Sequence, residues 1–482
     1  MGVTGRIHGA NSEYVDELAS AMNIPCEKVE LNSDSFDRWL IEHSLYESTR
    51  DQPQIVIYDQ FNIEEQFSWR VRRTLPDAVT ILDTQDFHSL RDIRERQIRQ
   101  GGGTIDFDSN RIVPYQSAPP GPSMVSSLTE LFLDPRRQPN DPSDLLSREL
   151  ASILRSDLSL FVSPVETQLL TSSDGVGIPN RGLVTLPITY ADEATYAELS
   201  SSLYASLSLN PQKYASRSFR DREHYVFVGS ARHPPNVDCV RYLKTHVWPM
   251  LRRLHGEDSH VELHIYGSHL TRDVTDLDSP ETGFRIRGSA KGEVERALSK
   301  YRVLLAPLRF GAGVKGKIID AWRSGLPVVT TSVGAEGLDL AQYRETISPE
   351  APGADPVLAD SLAAIYKYID PNRVKRFAGS LYTDDLGAFV HAAHVMYSNE
   401  ELFTASRNVN LHVLQRDHGD TAGMDVLRTE LERCGLFECD PEKRAASLHR
   451  QRRANFLQQM VWSTGLMATE LKSRLLSMKN RT

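Results

Sequence analysis

The chain has 482 residues, 40% of them hydrophobic and 25% charged, and a net charge of -9. That length leaves room for two or three domains with sizeable cores, and the acidic balance excludes a general nucleic-acid binder, which needs a broad cationic footprint. Four cysteines, with Cys434 and Cys439 five apart and no second pair, point to a reducing compartment and away from a zinc site.

No stretch reaches the roughly 18 consecutive apolar residues of a membrane span. The opening MGVTGRIHGANSEYVDEL lacks the apolar core of a secretory signal, so a cytoplasmic protein is expected. Short β-rich runs then alternate with helical patterns, which predicts parallel α/β units. Gln54–Asp59 reads as a buried strand followed by a helix through Trp69–Val71, and Ala78–Asp83 as the next strand. Residues 101–147 open with three glycines and carry seven prolines, a composition that predicts a partly disordered insertion, either a solvated loop or a lid. Leu158–Ser163 resumes the strand series. A polar, aperiodic stretch near residues 207–222 separates it from a second series at His224–Gly229, Val261–Gly267, Val303–Ala306 and Pro327–Thr331. The expected domains are therefore 1–206, 207–425 and a basic helical tail, 426–482. From Glu442 to Thr482 nine Lys or Arg stand against two Glu, with apolar residues at roughly helical spacing. Both a membrane-surface helix and a packing face with solvated basic residues fit that tail.

The stretch GAGVKGKI, Gly311–Ile318, satisfies the phosphate-loop pattern except at its last position. A Ser or Thr there would bind magnesium, and Ile318 cannot. The motif also lies late in the second strand series rather than after its first strand. It still suits an anion, because a strand ends at Pro307, glycines follow, and a helix is expected from near Lys315 to a stop at Gly325. Lys315 and Lys317 would supply charge without a metal. On these residues alone a tight turn with exposed lysines fits equally well.

The full run RFGAGVKGKIIDAWRSGLPVVTTSVGAEGL resembles the donor-site signature of GT-B glycosyltransferases, in particular the large retaining family four. The upstream runs FVGSARHPPNVDCVRYLKTHVWPMLRR, ELHIYGS and IRGSAKGEVERAL resemble the same donor domain, in the same order. ILDTQDFHSLR and RELASILRSDLSLFVSPVETQLL look like its acceptor domain, so the resemblance covers about residues 12–430. It implies two doubly wound Rossmann-like domains facing a cleft, and transfer of a sugar from a UDP- or GDP-sugar, without metal or cofactor, to a glycan, lipid or small-molecule acceptor. By the same resemblance Arg232 is the diphosphate-binding basic residue; Gly229 permits the turn before it, and Asn236, a common capping residue, is expected to cap the next helix. Lys315 or Lys317 would be the second diphosphate cation, Asp320 the ribose-binding carboxylate, and the backbone around Arg287, Gly288 and Ser289 the contact to the base. Gly313, Gly334, Ala335 and Glu336 would border the same site.

In the first domain Asp83, Asp86 and His88 cluster after a strand, and His88 resembles the family's acceptor-side histidine, with helix capping as the alternative. Three departures stand out. Ala312 lies where many members have a sugar-binding glutamate, Trp322 and Arg323 replace small residues, and no convincing first strand precedes the region matching Asn11–Leu18. The last suggests a shortened acceptor domain. A catalytically impaired nucleotide-sugar-binding homologue or scaffold, and a GT-B epimerase, are therefore the rival readings.

Overall fold

The computed structural model describes residues 3–4, 26–27, 33–47, 55–100, 110–113, 145–171, 178, 182–189, 217–290, 294–338, 356–418 and 420–433. They divide into two compact units, one of Met1–Ser89, Val125–Ser208 and Asp420–Thr482, the other of Leu90–Met124 and Leu209–Gly419. Both are α/β, as the alternation of patterns predicts.

In the first unit, strands β3 (Ile55–Asp59), β4 (Val79–Asp83), β5 (Leu158–Phe161) and β6 (Leu183–Thr185) form a parallel sheet in that order. Successive residues of strands β4 and β5, Thr80 and Ser159 included, are buried because both faces are covered. Val79, Ile81, Leu158, Leu160 and Val184 share a core with Leu431 of the helix Asp420–Arg433. That helix thus returns to the first sheet, where the sequence reading placed a domain end at 425 and a separate tail beyond it. Residues 434–482, and with them most of the basic tail, lie outside the described residues. Two further short strands, β1 (Val3–Thr4) and β2 (Cys26–Glu27), pair in parallel, and the region matching Asn11–Leu18 lies outside the described residues.

The helix His88–Gln100 starts against a buried carboxylate. Glu149 Oε1 accepts the His88 N–H at 2.8 Å, and Oε2 accepts the Ser89 N–H at 2.9 Å and its hydroxyl at 2.6 Å. An anion at a helix N-terminus meets the dipole and the orphan amides together. Burial nonetheless pushes the Glu149 pKa up from 4.5 to about 7. Since the folded value lies above the unfolded one, stability falls as pH rises between these two values and then levels off. Glu149→Ala strands three donors, and urea denaturation is expected to show a loss of about 2–4 kcal/mol.

The second unit holds a seven-stranded sheet in the order β12-β13-β11-β10-β7-β8-β9. These are β7 (Tyr225–Val228), β8 (Leu263–Tyr266), β9 (Phe284–Gly288), β10 (Val303–Ala306), β11 (Val328–Thr330), β12 (Lys375–Phe377) and β13 (Ser380–Tyr382). All neighbours are parallel except the β12–β13 hairpin. The chain runs outward from β7 to β9, then returns to β10 on the other side of β7, so the strand order reverses between β7 and β10. Trp322 and Arg323, the bulky departures in the helix Gly316–Arg323, are core residues. Trp322 is fully buried with Nε1 on Ser380 Oγ at 2.9 Å, and Arg323 reaches Glu295 at 2.6 Å.

Residues 110–113 of the proline-rich insertion are anchored in this unit. The Ile112 N–H bonds to the Asp384 carbonyl at 2.7 Å, the Leu386 N–H to the Asn110 carbonyl at 2.8 Å, and Ile112 and Val113 are buried. Helix Leu145–Arg155 likewise begins inside the stretch expected to be irregular. The rest of 101–147 lies outside the described residues.

Candidate functional site

In an open parallel sheet, ligands bind beyond the carboxyl ends of the strands where the order reverses. Here those ends are β7 and β10, and the loops that follow them are Gly229–His233 and Pro307–Lys315.

After β7, Gly229 is required by contact. A Cβ there would lie 2.6 Å from Asn236 Cγ. Asn236 does not cap the next helix, as the sequence suggested; the cap position belongs to His233, and Asn236 lies in the first turn of Pro234–Tyr242. Its Nδ2 donates to the Ser230 carbonyl at 2.9 Å and its Oδ1 accepts from Lys317 Nζ. Arg232 is exposed on the loop, its N–H on Ser230 Oγ at 3.3 Å. Val240 on this helix, and Leu243, Val247 and Leu251 beyond its end, are buried, whereas Val237 lines a groove.

After β10, Gly311 and Gly313 have φ of 152° and 65°, backbone that favours glycine. The Gly311 carbonyl accepts Arg94 Nη1 at 2.6 Å, and Lys315 Nζ bonds to the carbonyls of Ala312, at 3.0 Å, and Gly313. The helix begins at Gly316 with Lys315 at its cap, and ends before Gly325, whose φ is 63°. Lys317 stands over the Phe227 ring at 4.9 Å and makes no ion pair among the described residues. Burial lowers its pKa from 10.5 to about 8. Asp320 is half-buried one turn further on.

The stretch after β11 closes the arrangement. A Cβ on Gly334 would lie 1.8 Å from Thr330 Oγ1, which itself donates to the Ala306 carbonyl at 2.6 Å. Glu336 is buried and takes Arg94 in a two-point pair at 3.0 and 2.6 Å. Gly334→Ala is expected to lower the melting temperature by about 4–8 °C per domain through this clash, with partial recovery in Gly334→Ala/Thr330→Ala.

The structure brings Gly229, Gly313, Lys315, Lys317 and Gly334 to the loops that follow β7, β10 and β11. Gly288, with φ of 75°, ends β9 at the far edge, and the Arg287 side chain turns to Glu262 at 3.3 Å and His264 at 3.0 Å. His224, Glu262 and His264 cluster there within metal-ligating reach of one another. Their lone pairs are already committed. His224 Nδ1 accepts the Glu262 N–H at 3.2 Å, which leaves the proton on Nε2, and Arg285 and Arg287 face the Glu262 carboxylate. Burial pushes His264 down to about 4, so it is neutral at pH 7. Two guanidinium groups make this a poor place for a dication.

In the first unit, His88 Nε2 lies 3.0 Å from Asp86 Oδ1, and the ring meets Phe61 edge-on. His88 heads its helix, and the amides of His88 and Ser89 are served by Glu149 rather than by the imidazole. Beside it, Asp59 and Asp83 end β3 and β4, and burial raises both carboxyl pKa values. Gln85, at a φ of 58°, donates to Asp59 at 2.6 Å.

A groove of about 570 Å³ adjoins the loops after β7 and β10, lined among others by Ile98, Arg99, Val237, Tyr242, Arg309 and Phe310. Arg309 pairs with Asp238 through both nitrogens. Neither Arg94 nor this groove was legible in the sequence. An arginine in a polar helix carries no signal of the carbonyl it will reach.

Residues 222–367 match the family model described as Glycosyl transferases group 1. The match lies inside the second unit and takes in all three loops that form the candidate site. No curated protein sequence matches the chain. Among solved structures it is similar to a mutant of S. aureus TarM in complex with fondaparinux, alpha-GlcNAc-glycerol and UDP, at 11% identity and a TM-score of 0.44, over 80% of this chain. The chain spans only 57% of that TarM chain. It is also similar to a glycosyltransferase from Rickettsia africae, at 11% identity and a TM-score of 0.48, over 91% of this chain and 89% of that one. For Anabaena HepE in complex with UDP and glucose the values are 9% and 0.47, over 89% and 90%. No described helix is long and apolar enough to cross a membrane.

Proposed function

We propose that the chain is a retaining, metal-independent glycosyltransferase that moves a sugar from a UDP- or GDP-sugar to an acceptor. The observation that carries the reading is Lys317. It is a half-buried cation without an ion-pair partner among the described residues, held by Asn236 beside the glycine turn at the strand-order reversal. An ammonium that has lost part of its hydration is costly alone, and an anion set against it repays that cost. A departing nucleoside diphosphate is such an anion, so the same group that binds donor stabilises charge as the glycosidic bond breaks. Arg232, exposed on the neighbouring loop, would add the second charge. Asp320 would accept the ribose hydroxyls, and Arg287 and Gly288 would stand at the base.

His88 and Asp86 would serve the acceptor. With Asp86 holding the proton on Nε2, Nδ1 is the free acceptor for the attacking hydroxyl. In a retaining reaction on one face of the sugar, the departing phosphate shares that proton, and the imidazole orients the hydroxyl. The proposed domain pattern is an acceptor unit and a donor unit, with a cytoplasmic location. The groove beside Phe310 offers planar polar side chains and ring faces of the kind that take a saccharide acceptor.

The test is incubation of the purified chain with UDP- and GDP-hexoses in excess EDTA, with proton NMR of the products. A released nucleoside diphosphate and a product keeping the donor's anomeric configuration is the expected result. Epimerised donor, or activity lost with EDTA, would reject it. Ala312 favours one alternative, a protein that binds donor without transferring sugar, because no carboxylate stands at that position beside the loop. That version predicts diphosphate binding with neither transfer nor donor hydrolysis.

A further inference from the structure

Arg94 belongs to no motif that marks the donor site, yet it is 3% exposed and spends its guanidinium on two donor-side loops. One edge pairs with both Glu336 oxygens, in the stretch after β11. Nη1 also donates at 2.6 Å to the Gly311 carbonyl, in the loop after β10. A buried guanidinium and carboxylate in bidentate register fix each other's direction more tightly than single bonds do.

The carbonyl contact has a geometric consequence. A trans peptide sets its C=O and N–H in opposite directions. With the Gly311 oxygen drawn onto Arg94, the Ala312 N–H must point away from Arg94. Lys315 takes the next two carbonyls, those of Ala312 and Gly313. The orientation of three successive carbonyls is thus set by two side-chain cations, in a loop whose glycines impose none of their own.

We infer that Arg94 is a positioning residue for the nucleoside diphosphate, which sets the Gly311–Ala312 peptide for the anion through the carbonyl of Gly311 and holds that loop to Glu336. This rests on the donor reading above. Arg94 touches neither base nor sugar in this account, so its loss should be felt by the diphosphate alone.

The experiment compares UDP, GDP, uridine and guanosine by calorimetric titration, on wild type, Arg94→Lys and the double variant Arg94→Met/Glu336→Met. Lysine keeps the charge but lacks the fork, and the double variant leaves no unpaired buried charge. The expected result is diphosphate affinity reduced about tenfold or more in both, the scale of one oriented hydrogen bond, with nucleoside affinity unchanged. Circular dichroism of the same samples checks that each is folded. Diphosphate and nucleoside weakening together, or the folded double variant binding diphosphate as wild type does, would overturn the assignment to Arg94. If wild type binds neither diphosphate, the donor reading itself falls and takes this assignment with it.

Discussion

Lys317→Ala is expected to weaken UDP or GDP binding by about 30- to 100-fold, the worth of a charge-assisted contact in a partly dry site. Titration calorimetry reads the loss directly, and the nucleoside without phosphates should bind the variant as it binds wild type. The pH dependence has a definite sign. Burial lowers the ammonium pKa from 10.5 to about 8 in the free protein, and an anion beside it favours the charged form. Binding at pH 8 should therefore take up protons, and affinity should fall as pH rises past that value. The free protein's own stability runs the other way. Between about 8 and 10.5 the unfolded chain holds the proton that the folded chain has lost, so stability rises with pH across that window. Binding insensitive to pH from 7 to 10 would place the diphosphate elsewhere.

His88→Ala is expected to lower kcat for transfer by about 100- to 1,000-fold while leaving diphosphate affinity unchanged, because it serves the acceptor and not the donor. Asp86→Asn should lower kcat as well, since an amide at the 3.0 Å contact no longer fixes the proton on Nε2. The fold should survive both changes, as the helix beginning at His88 is held by Glu149 and not by the imidazole. A loss of diphosphate affinity in His88→Ala equal to the loss in kcat would mean that the histidine shapes the donor site.

Much of the architecture could be read from the chain because its signals are local. The strands β4, β5, β7, β8 and β10 are short apolar runs bounded by turn residues, and the helix Gly316–Arg323 is framed by Lys315 and Gly325 as the turn chemistry requires. The loops after β7 and β10 were legible for the same reason, since glycines in such turns mark close approach. What the sequence did not show depends on contacts between distant segments. Asn236 reads as a cap because Asn commonly caps, but its side chain is claimed by Lys317, 81 positions away. Arg94 reaches Glu336 across 242 positions, and no periodicity encodes such a reach. Residues 110–113 look irregular by composition and are held by an isolated β-bridge and a helix cap at Asp384–Leu386. The return of Asp420–Arg433 to the first sheet was hidden likewise, because Leu431 fits any apolar face.

Gly229, Asn236 and Lys317 are coupled through contact. Any side chain at 229 strikes the Asn236 amide, and a displaced amide releases the lysine. Related chains should therefore keep or exchange these three positions together. A correlated change at 229, 236 and 317 would leave a trace in an alignment even where each residue alone looked variable.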